Sequence, residues 1–206
     1  MSETVLPPAD TEIVRFVFEL GQLRRETRHG WLRIDEHPES VAEHSFRAAV
    51  LGYLLAMREG YSDPNRIATM ILFHDMHEAR TGDADTVQRR YVTLDEIRAA
   101  RDQVIGLEAG GPEILRMWRD VEYADTEAGR IAKDAEILEI AFTARELVVR
   151  GNTDAQGWIE SLRPRLKTTS AKTVVEIANR ADPSEWWKRL QLRGDAELQE
   201  SAGSEA

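Results

Sequence analysis

Residues 71–83, ILFHDMHEARTGD, place ionisable side chains directly after an apolar segment that is typical of a buried helix. His74 and Asp75 stand together, Glu78 follows one helical turn later, and Asp83 follows a glycine. Charge beside a hydrophobic core is costly unless another group pairs with it. Because imidazole and carboxylate groups together bind divalent transition ions, these residue types indicate metal-assisted chemistry.

A second histidine lies on the core-facing side of a predicted helix upstream. Val41, His44 and Ala48 recur at helical spacing, as Ile71 and His74 do on the following helix. A single buried histidine is more often a hydrogen-bonded core residue than a metal ligand. Two of them, one with an adjacent carboxylate, weaken that interpretation. Spacing alone leaves both interpretations open.

Helix signals run through the chain and predict how these residues are positioned. Ser40 with Glu43 forms a capping box, and Asp63–Pro64 is an N-cap with proline at the first helical position. Thr93 with Glu96 forms a second capping box. The other helices are predicted to begin at Asp10 or Thr11, Pro112, Asp125–Thr126 and Asp182–Pro183, with shorter ones near residues 154–163 and 170–180. Since no alternating strand pattern, repeat or linker is present, the sequence predicts a single all-α domain.

The same signals predict where helices and the domain end. The helix that begins at Pro64 is expected to end at His77 or Glu78, and Gly151 is expected to close the longest helix. The predicted segments are a flexible N-terminus over residues 1–9, a domain over residues 10–193 and a disordered polar tail over residues 194–206.

The composition limits the classes of partner. The chain has 206 residues, enough for one domain, and carries 37 acidic against 27 basic side chains, for a net charge of −10. This charge repels nucleic-acid polymers and anionic membranes, although a metal or a few arginines can attract a small anion. The lack of cysteine excludes disulfides and thiolate metal sites. No apolar run reaches the roughly 18 residues of a membrane span, and no signal-peptide core is present, so we expect a cytoplasmic protein.

Taken in order, these motifs resemble those of the HD-domain metal-dependent phosphohydrolases, in their 5′-deoxynucleotidase branch. The matching segments are residues 28–31 (RHGW), 39–44 (ESVAEH), 74–78 (HDMHE), 82–83 (GD), 122–123 (EY) and 133–139 (KDAEILE). The resemblance implies an HD bundle of about eight or nine helices that releases phosphate from nucleoside 5′-monophosphates, preferably deoxyribonucleotides. We also expect a homodimer, with Trp118, Trp186 and Trp187 as core or dimer-contact aromatics.

The resemblance further implies one divalent transition ion (Mn, Co, Fe, Ni or Zn), bound by His44, His74, Asp75 and a carboxylate at position 136. The family pattern there is Lys-x-x-Asp-x-Leu, and this chain has Glu136 in place of the aspartate. Asp134 is an alternative ligand. Residues two apart on a helix point about 200° apart, so using Asp134 would require a rotated helix, and we favour Glu136.

The resemblance also suggests which residues act on the substrate. Glu78 and Asp83 are implied to be the catalytic carboxylates, one beside the nucleophile and one near the leaving 5′-oxygen, with acid and base not distinguished. Arg28 is expected to bind the phosphate bidentately and Trp31 to pack against the sugar or base. The alternatives are a surface helix residue for Glu78, a turn residue for Asp83 and core packing for Trp31. Since no histidine follows His77, a single metal is favoured over a di-iron site.

Two other functions stay open at the level of sequence. A nucleoside triphosphate hydrolase or a biosynthetic nucleotide phosphatase would use the same chemistry, and Arg89 with Arg90 could then contact a longer phosphate chain or form a solvated surface. A nucleotide or metal sensor with a degenerate site is favoured only by Glu136. His77 is interpreted as a helix-end residue, and His29 and His37 as solvated loop residues.

Overall fold

The computed structural model describes residues 8–35 and 37–191, which are mainly helical and contain no strand. The all-α bundle of about eight or nine helices that the sequence predicts is therefore confirmed. The helices are α1 (Pro8–Leu20), α2 (Val41–Glu59), α3 (Pro64–Phe73), α4 (Glu78–Thr81), α5 (Glu96–Gln103), α6 (Gly110–Tyr123), α7 (Glu127–Val149), α8 (Gln156–Leu162) and α9 (Thr169–Ala178). Residues 185–191 are helical as well.

Helix α7 is the centre of the bundle. It contacts α2, α3, α6, α8 and α9, and α2 packs along α3. Buried side chains from these helices form the main core, to which α7 contributes Ile131, Leu138 and Ala141. A second cluster forms around Trp118, which is buried, whereas Trp186 and Trp187 are exposed. This packing holds α2, α3 and α7 side by side, so polar residues on their facing sides can meet.

The caps of α2 and α3 agree with the sequence. Ser40 accepts a hydrogen bond from the backbone of Glu43 and donates its own backbone N–H to the Glu43 carboxylate, which completes the capping box. Asp63 caps α3. The expected box of Thr93 with Glu96 is wrong, because Asp95 is the cap of α5. Asp95 directly precedes the helix, and its side chain accepts a hydrogen bond from the third helical N–H. Thr93 is therefore not needed as the cap.

The end of α3 differs from the sequence prediction. The helix ends at Phe73, and His74 to His77 form a turn before the short α4 begins at Glu78. The backbone oxygen of Ile71 accepts from the backbone N–H of His74 at 3.2 Å and lies 2.6 Å from His74 Nδ1. His74 thus caps the helix at the His-Asp pair with both its backbone and its side chain.

The remaining boundaries are close to the expected ones. Helix α6 begins two residues before Pro112, Thr126 caps α7, and α7 ends two residues before Gly151. Residues 8 and 9 belong to α1, while residues 1–7 of the predicted flexible N-terminus and the predicted tail over 194–206 lie outside the described residues. None of the helices that the structure describes has the length and apolar character needed to cross a membrane.

Candidate metal and phosphate site

His44 of α2 and the His-Asp pair after α3 converge at one point. His74 Nε2 lies 3.0 Å and His44 Nε2 lies 3.9 Å from Asp75 Oδ2. The three ligand atoms lie within 4.8 Å of one another, and both imidazole rings are buried. The bundle therefore brings His44 together with the His74–Asp75 pair, which lies far from it in the sequence.

The second ring nitrogen of each histidine is engaged by an acceptor. His44 Nδ1 lies 2.5 Å from Glu139 Oε2, and His74 Nδ1 binds the Ile71 carbonyl. A neutral imidazole that donates through Nδ1 has a bare Nε2, so each ring, when neutral, can offer a lone pair to a cation beside Asp75. Neither Nε2 has a hydrogen-bond partner in the part of the chain that the structure describes. This donor set fits a divalent transition ion.

Helix α7 separates the two candidates for a fourth ligand. Glu136 lines the same cavity as Asp75, and its Oε2 lies 2.8 Å from Lys133 Nζ. Burial raises the pKa of Glu136, but the charges of Lys133 and His74 and the hydrogen bond from Lys133 together hold the pKa below its ordinary value. Asp134 instead accepts hydrogen bonds from the backbone N–H groups of Lys167 and Thr168, at 2.9 and 2.6 Å. The Asp134 carboxylate is thus used to fix the start of α9.

Beside this cluster lies a cavity of about 470 Å³. Arg28 Nη1 lies 3.5 Å from Asp75 Oδ2 and 3.7 Å from Asp83 Oδ1, which holds the guanidinium at the cavity wall. Burial lowers the pKa of Arg28, but the charges of Asp75, Asp83, Glu78 and Glu136 together raise it above its ordinary value and keep the group charged. The predicted site residues that line this cavity are Arg28, Trp31, Asp75, Glu78, Asp83 and Glu136.

Asp83 is held by two backbone hydrogen bonds. Its Oδ2 accepts from His29 N at 2.9 Å, and its own N–H donates to Glu26 Oε1 at 3.0 Å. Gly82 precedes it with φ 73° and ψ 163°, a conformation that is almost restricted to glycine. A Cβ atom on Gly82 would also lie 3.3 Å from Glu26 Oε1. The turn thus places a buried carboxylate at the cavity.

Glu78 is buried, so the alternative of a surface helix residue is wrong. Burial and the negative charges of Asp75 and Asp83 raise the pKa of Glu78 to about 10. Its Oε2 has no hydrogen-bond partner among residues 8–35 and 37–191. Such a group can hold or exchange a proton inside the cavity.

Trp31 forms part of both the core and the cavity wall. Its ring stacks on Trp158 of α8 with centroids 5.6 Å apart. Its Nε1 donates to Glu39 Oε1 at 3.1 Å. One edge of the ring is therefore fixed by a carboxylate while the ring borders the cavity.

Sequence reasoning gave no role to Glu139 and Arg47. Arg47 Nε donates to Glu139 Oε1 at 2.7 Å, and Arg47 Nη1 donates to Glu146 at 2.8 Å. Burial raises the pKa of Glu139, but the hydrogen bonds and charges of His44 and Arg47 together lower the pKa to about 2. Burial and the charge of Glu139 raise the pKa of Glu39 to about 7. The available signal was the helical spacing of Glu136, Glu139, Thr143 and Glu146, which places these polar residues on one side of the helix.

The interpretation of His77 as a helix-end residue favourable to the dipole is wrong. Because α3 ends at Phe73, His77 lies in the following turn, where it is buried and lines the cavity. Its Nδ1 accepts from Trp118 Nε1 at 3.1 Å.

His37 is exposed as expected, and His29 is half-buried. Arg89 is exposed, pairs with Glu96 at 2.7 Å and reaches the cavity edge.

Comparison with known proteins agrees with this architecture. A family model described as HD domain matches residues 20–178. The 5′-deoxynucleotidase HDDC2 of Mus musculus is 31% identical over 140 residues, covering 65% of this chain and 69% of that protein. HDDC2 of Xenopus laevis is 31% identical over 144 residues, covering 67% and 70%. The crystal structure of genomics APC5600 is 33% identical with a TM-score of 0.70, covering 85% of this chain and 99% of that one.

The helical bundle and the His-His-Asp group are those of an HD-domain protein. The chain belongs to the HD domain family, as the resemblance of its motifs predicted.

Proposed function

We propose that the protein is a nucleoside 5′-monophosphate phosphohydrolase that prefers deoxyribonucleotides. The chain is a metal-dependent phosphoric monoester hydrolase, as its HD domain and its relatives named 5′-deoxynucleotidases indicate. The observation that carries the proposal is the cavity itself. Beside it, the Nε2 atoms of His44 and His74 face Asp75, which lies close to the charged Arg28.

His44, His74 and Asp75 would hold the divalent ion, with Glu136 as the fourth ligand. Glu136 is favoured because it lies in the cavity, whereas the oxygens of Asp134 bind the start of α9. When bound, such an ion supplies positive charge that both an attacking water and a phosphate dianion require. Measuring the rate of the reaction with different ions will identify the metal.

The chain's own residues would bind the phosphate and move protons. Arg28 has guanidinium N–H groups at the cavity and is suited to donate two hydrogen bonds to a phosphate. Glu78 and Asp83 are the carboxyl groups that exchange protons, one with the nucleophilic water and one with the leaving 5′-oxygen. Both are buried beside Arg28, which keeps the three groups within one small volume.

Trp31 and Trp158 would form the wall against which the sugar or base packs. A cavity of about 470 Å³ lies within the range of pockets that enclose small molecules, roughly 300–1,000 Å³. The preference for deoxyribonucleotides rests on the names of the relatives. A nucleoside triphosphate hydrolase is the second candidate, and Arg89 and Arg165 at the cavity edge favour it because they could contact further phosphates.

Phosphate release from a nucleotide panel tests the proposal. The protein, loaded in turn with Mn²⁺, Co²⁺, Zn²⁺ or Mg²⁺, is incubated with 5′- and 3′-monophosphates and 5′-triphosphates of ribo- and deoxyribonucleosides. We expect inorganic phosphate from 5′-monophosphates, fastest with the deoxy forms. Cleavage of triphosphates alone would support the second candidate, and no release with any ion would refute both.

The homodimer and the cytoplasmic location stay predictions. Exposed apolar side chains follow one face of α2, which suits burial against a second copy. They are Phe46, Val50, Tyr53, Leu54 and Met57. Light scattering on the purified protein measures the mass and distinguishes a dimer from a monomer.

A further inference from the structure

Arg47 lies on the Nδ1 side of His44, away from the bare Nε2 that faces Asp75. It binds three carboxylates, those of Glu39, Glu139 and Glu146, and the hydroxyl of Thr143 also contacts it. We call Arg47, Glu39, Glu139 and Thr143 the Arg47 network. Glu139 is fully buried and Glu39 largely so, which makes the arginine the cation that balances them.

Glu139 connects Arg47 to the metal ligand. Its Oε1 accepts from Arg47 Nε at 2.7 Å, and its Oε2 lies 2.5 Å from His44 Nδ1. The two oxygens of one carboxylate therefore bind two different groups. The orientation of the His44 ring depends on where Arg47 holds Glu139.

Glu39 connects Arg47 to the cavity wall in the same way. Its Oε2 lies 3.4 Å from Arg47 Nη2, and its Oε1 accepts from Trp31 Nε1 at 3.1 Å. Thr143 Oγ1 lies between the two carboxylates, 3.1 Å from Glu139 Oε1 and 3.3 Å from each oxygen of Glu39. The network thus ends at His44 on one side and at Trp31 on the other.

We propose that Arg47 is a positioning residue that couples the metal ligand His44 to the cavity wall at Trp31. The roles of His44 and Trp31 rest on the proposed function, whereas the contacts that connect them do not. Without the guanidinium, two carboxylates face each other with no charge to balance them, which is costly in a buried setting. Both would move apart or take up water, and each would release the ring that it holds.

Arg47→Met tests the coupling, and Arg66→Met is its matched control. Arg66 is likewise paired with more than one carboxylate, Glu113 at 3.0 Å and Asp120 at 3.2 Å, and its side chain is 26% exposed against 33% for Arg47. It does not line the cavity. Zn²⁺ affinity is measured by competition with a chelator. We expect Arg47→Met to weaken it about 10- to 100-fold, the range seen when a partner of a metal ligand is removed, and Arg66→Met to leave it unchanged.

The indole N–H signal of Trp31 in an NMR spectrum, assigned with Trp31→Phe, reports on the other end of the network. We expect Zn²⁺ to shift this signal in the wild type but not in zinc-saturated Arg47→Met. Glu139→Gln should weaken Zn²⁺ binding while the zinc-free indole signal stays in place. Glu39→Gln should move the indole signal and leave Zn²⁺ affinity within about twofold.

The coupling is refuted if Arg47→Met keeps both wild-type Zn²⁺ affinity and the zinc-induced indole shift, or if only one of them changes. It is also refuted if Arg66→Met produces the same pair of changes, because the effect would then be general destabilisation. None of these measurements requires turnover. A failure of the proposed function, seen as absent phosphate release, is therefore distinguishable from a failure of this proposal.

Discussion

At the cavity, His44 and His74 are held in the same tautomer by different groups. A carboxylate, Glu139, binds Nδ1 of His44, while a backbone carbonyl, that of Ile71, binds Nδ1 of His74. The carboxylate is the more basic partner and makes imidazole a stronger donor to a metal. The two rings are therefore expected to differ in how firmly they bind an ion, although both point Nε2 at Asp75.

Glu78→Gln should reduce kcat by about 10²- to 10⁴-fold, the usual contribution of a group that transfers a proton. Glutamine keeps the shape of the side chain but cannot exchange a proton. Since Glu78 is not among the residues proposed as ligands, the metal content and melting temperature should match the wild type. Steady-state kinetics with metal analysis decide the matter, and retention of most of the wild-type kcat would show that Glu78 has another role.

Substitutions at positions 136 and 134 should have opposite effects. Glu136→Ala is expected to lose both metal and activity, whereas Glu136→Asp, which restores the family pattern, should keep them. Asp134→Ala should retain metal but lose about 1–3 kcal/mol of stability, because buried N–H groups at the start of α9 lose their acceptor. Metal analysis and thermal unfolding measure both. Metal loss in Asp134→Ala alone would mean that the fourth ligand is wrongly assigned.

At the scale of elements, α7 serves three parts of the molecule within six residues. Asp134 faces the start of α9, Glu136 faces the cavity, and Glu139 faces His44 on α2. The directions differ because successive helical residues are rotated by about 100°. One rigid helix can therefore position a cap, a candidate ligand and the partner of another ligand at once.

The turn after α4 carries the next prediction. Gly82→Ala should cost on the order of 1–3 kcal/mol, since φ 73° with ψ 163° strongly disfavours a side chain, and it should displace Asp83 and lower kcat. Gly60→Ala is the matched control. Gly60 also has positive φ, at 72°, but it closes α2 with no heavy atom within 4 Å of its added Cβ. Thermal unfolding should show a loss in both variants, with kcat reduced only in Gly82→Ala; equal kcat in both would exclude a positioning role for the turn.

At the scale of the whole molecule, the chain has a net charge of −10, although its cavity is proposed to bind an anion. Six buried or half-buried carboxylates line that cavity, against the charges of Arg28, Arg89, Lys133 and Arg165. They are Asp75, Glu78, Asp83, Asp85, Glu96 and Glu136. A bound divalent ion would offset this excess of negative charge, which links the fold's stability to metal binding.

Metal should therefore stabilise the whole bundle. An ion at 100 times its Kd adds about 2.7 kcal/mol to the free energy of unfolding. For a domain of this size each kcal/mol raises Tm by roughly 2–4 °C, so a rise of about 5–10 °C is expected with Zn²⁺ or Mn²⁺. Differential scanning calorimetry with and without a chelator measures the change, and metal analysis should find one ion per chain. An unchanged Tm, or two tightly held ions, would contradict the single site.

The sequence by itself determined the helical class, the caps at Ser40 and Asp63, and the residue types that meet at the cavity. These features are local, since periodicity and capping depend on neighbours within a turn or two of helix. The motif resemblance then predicted the family. It could not show that α3 would end at Phe73, where the carbonyl of Ile71 meets both the backbone N–H and the side chain of His74.

Only the tertiary structure decided which polar groups partner one another. His44 and Glu139 are 95 residues apart, and Arg47 and Glu139 are 92 apart, so no local pattern could pair them. Asp134 and Glu136 are equally acidic in the sequence, and only the packing of α9 against α7 shows that Asp134 is already bound. The physical reason is that partner choice for a buried charge depends on which helices pack together, and that is a property of the whole bundle.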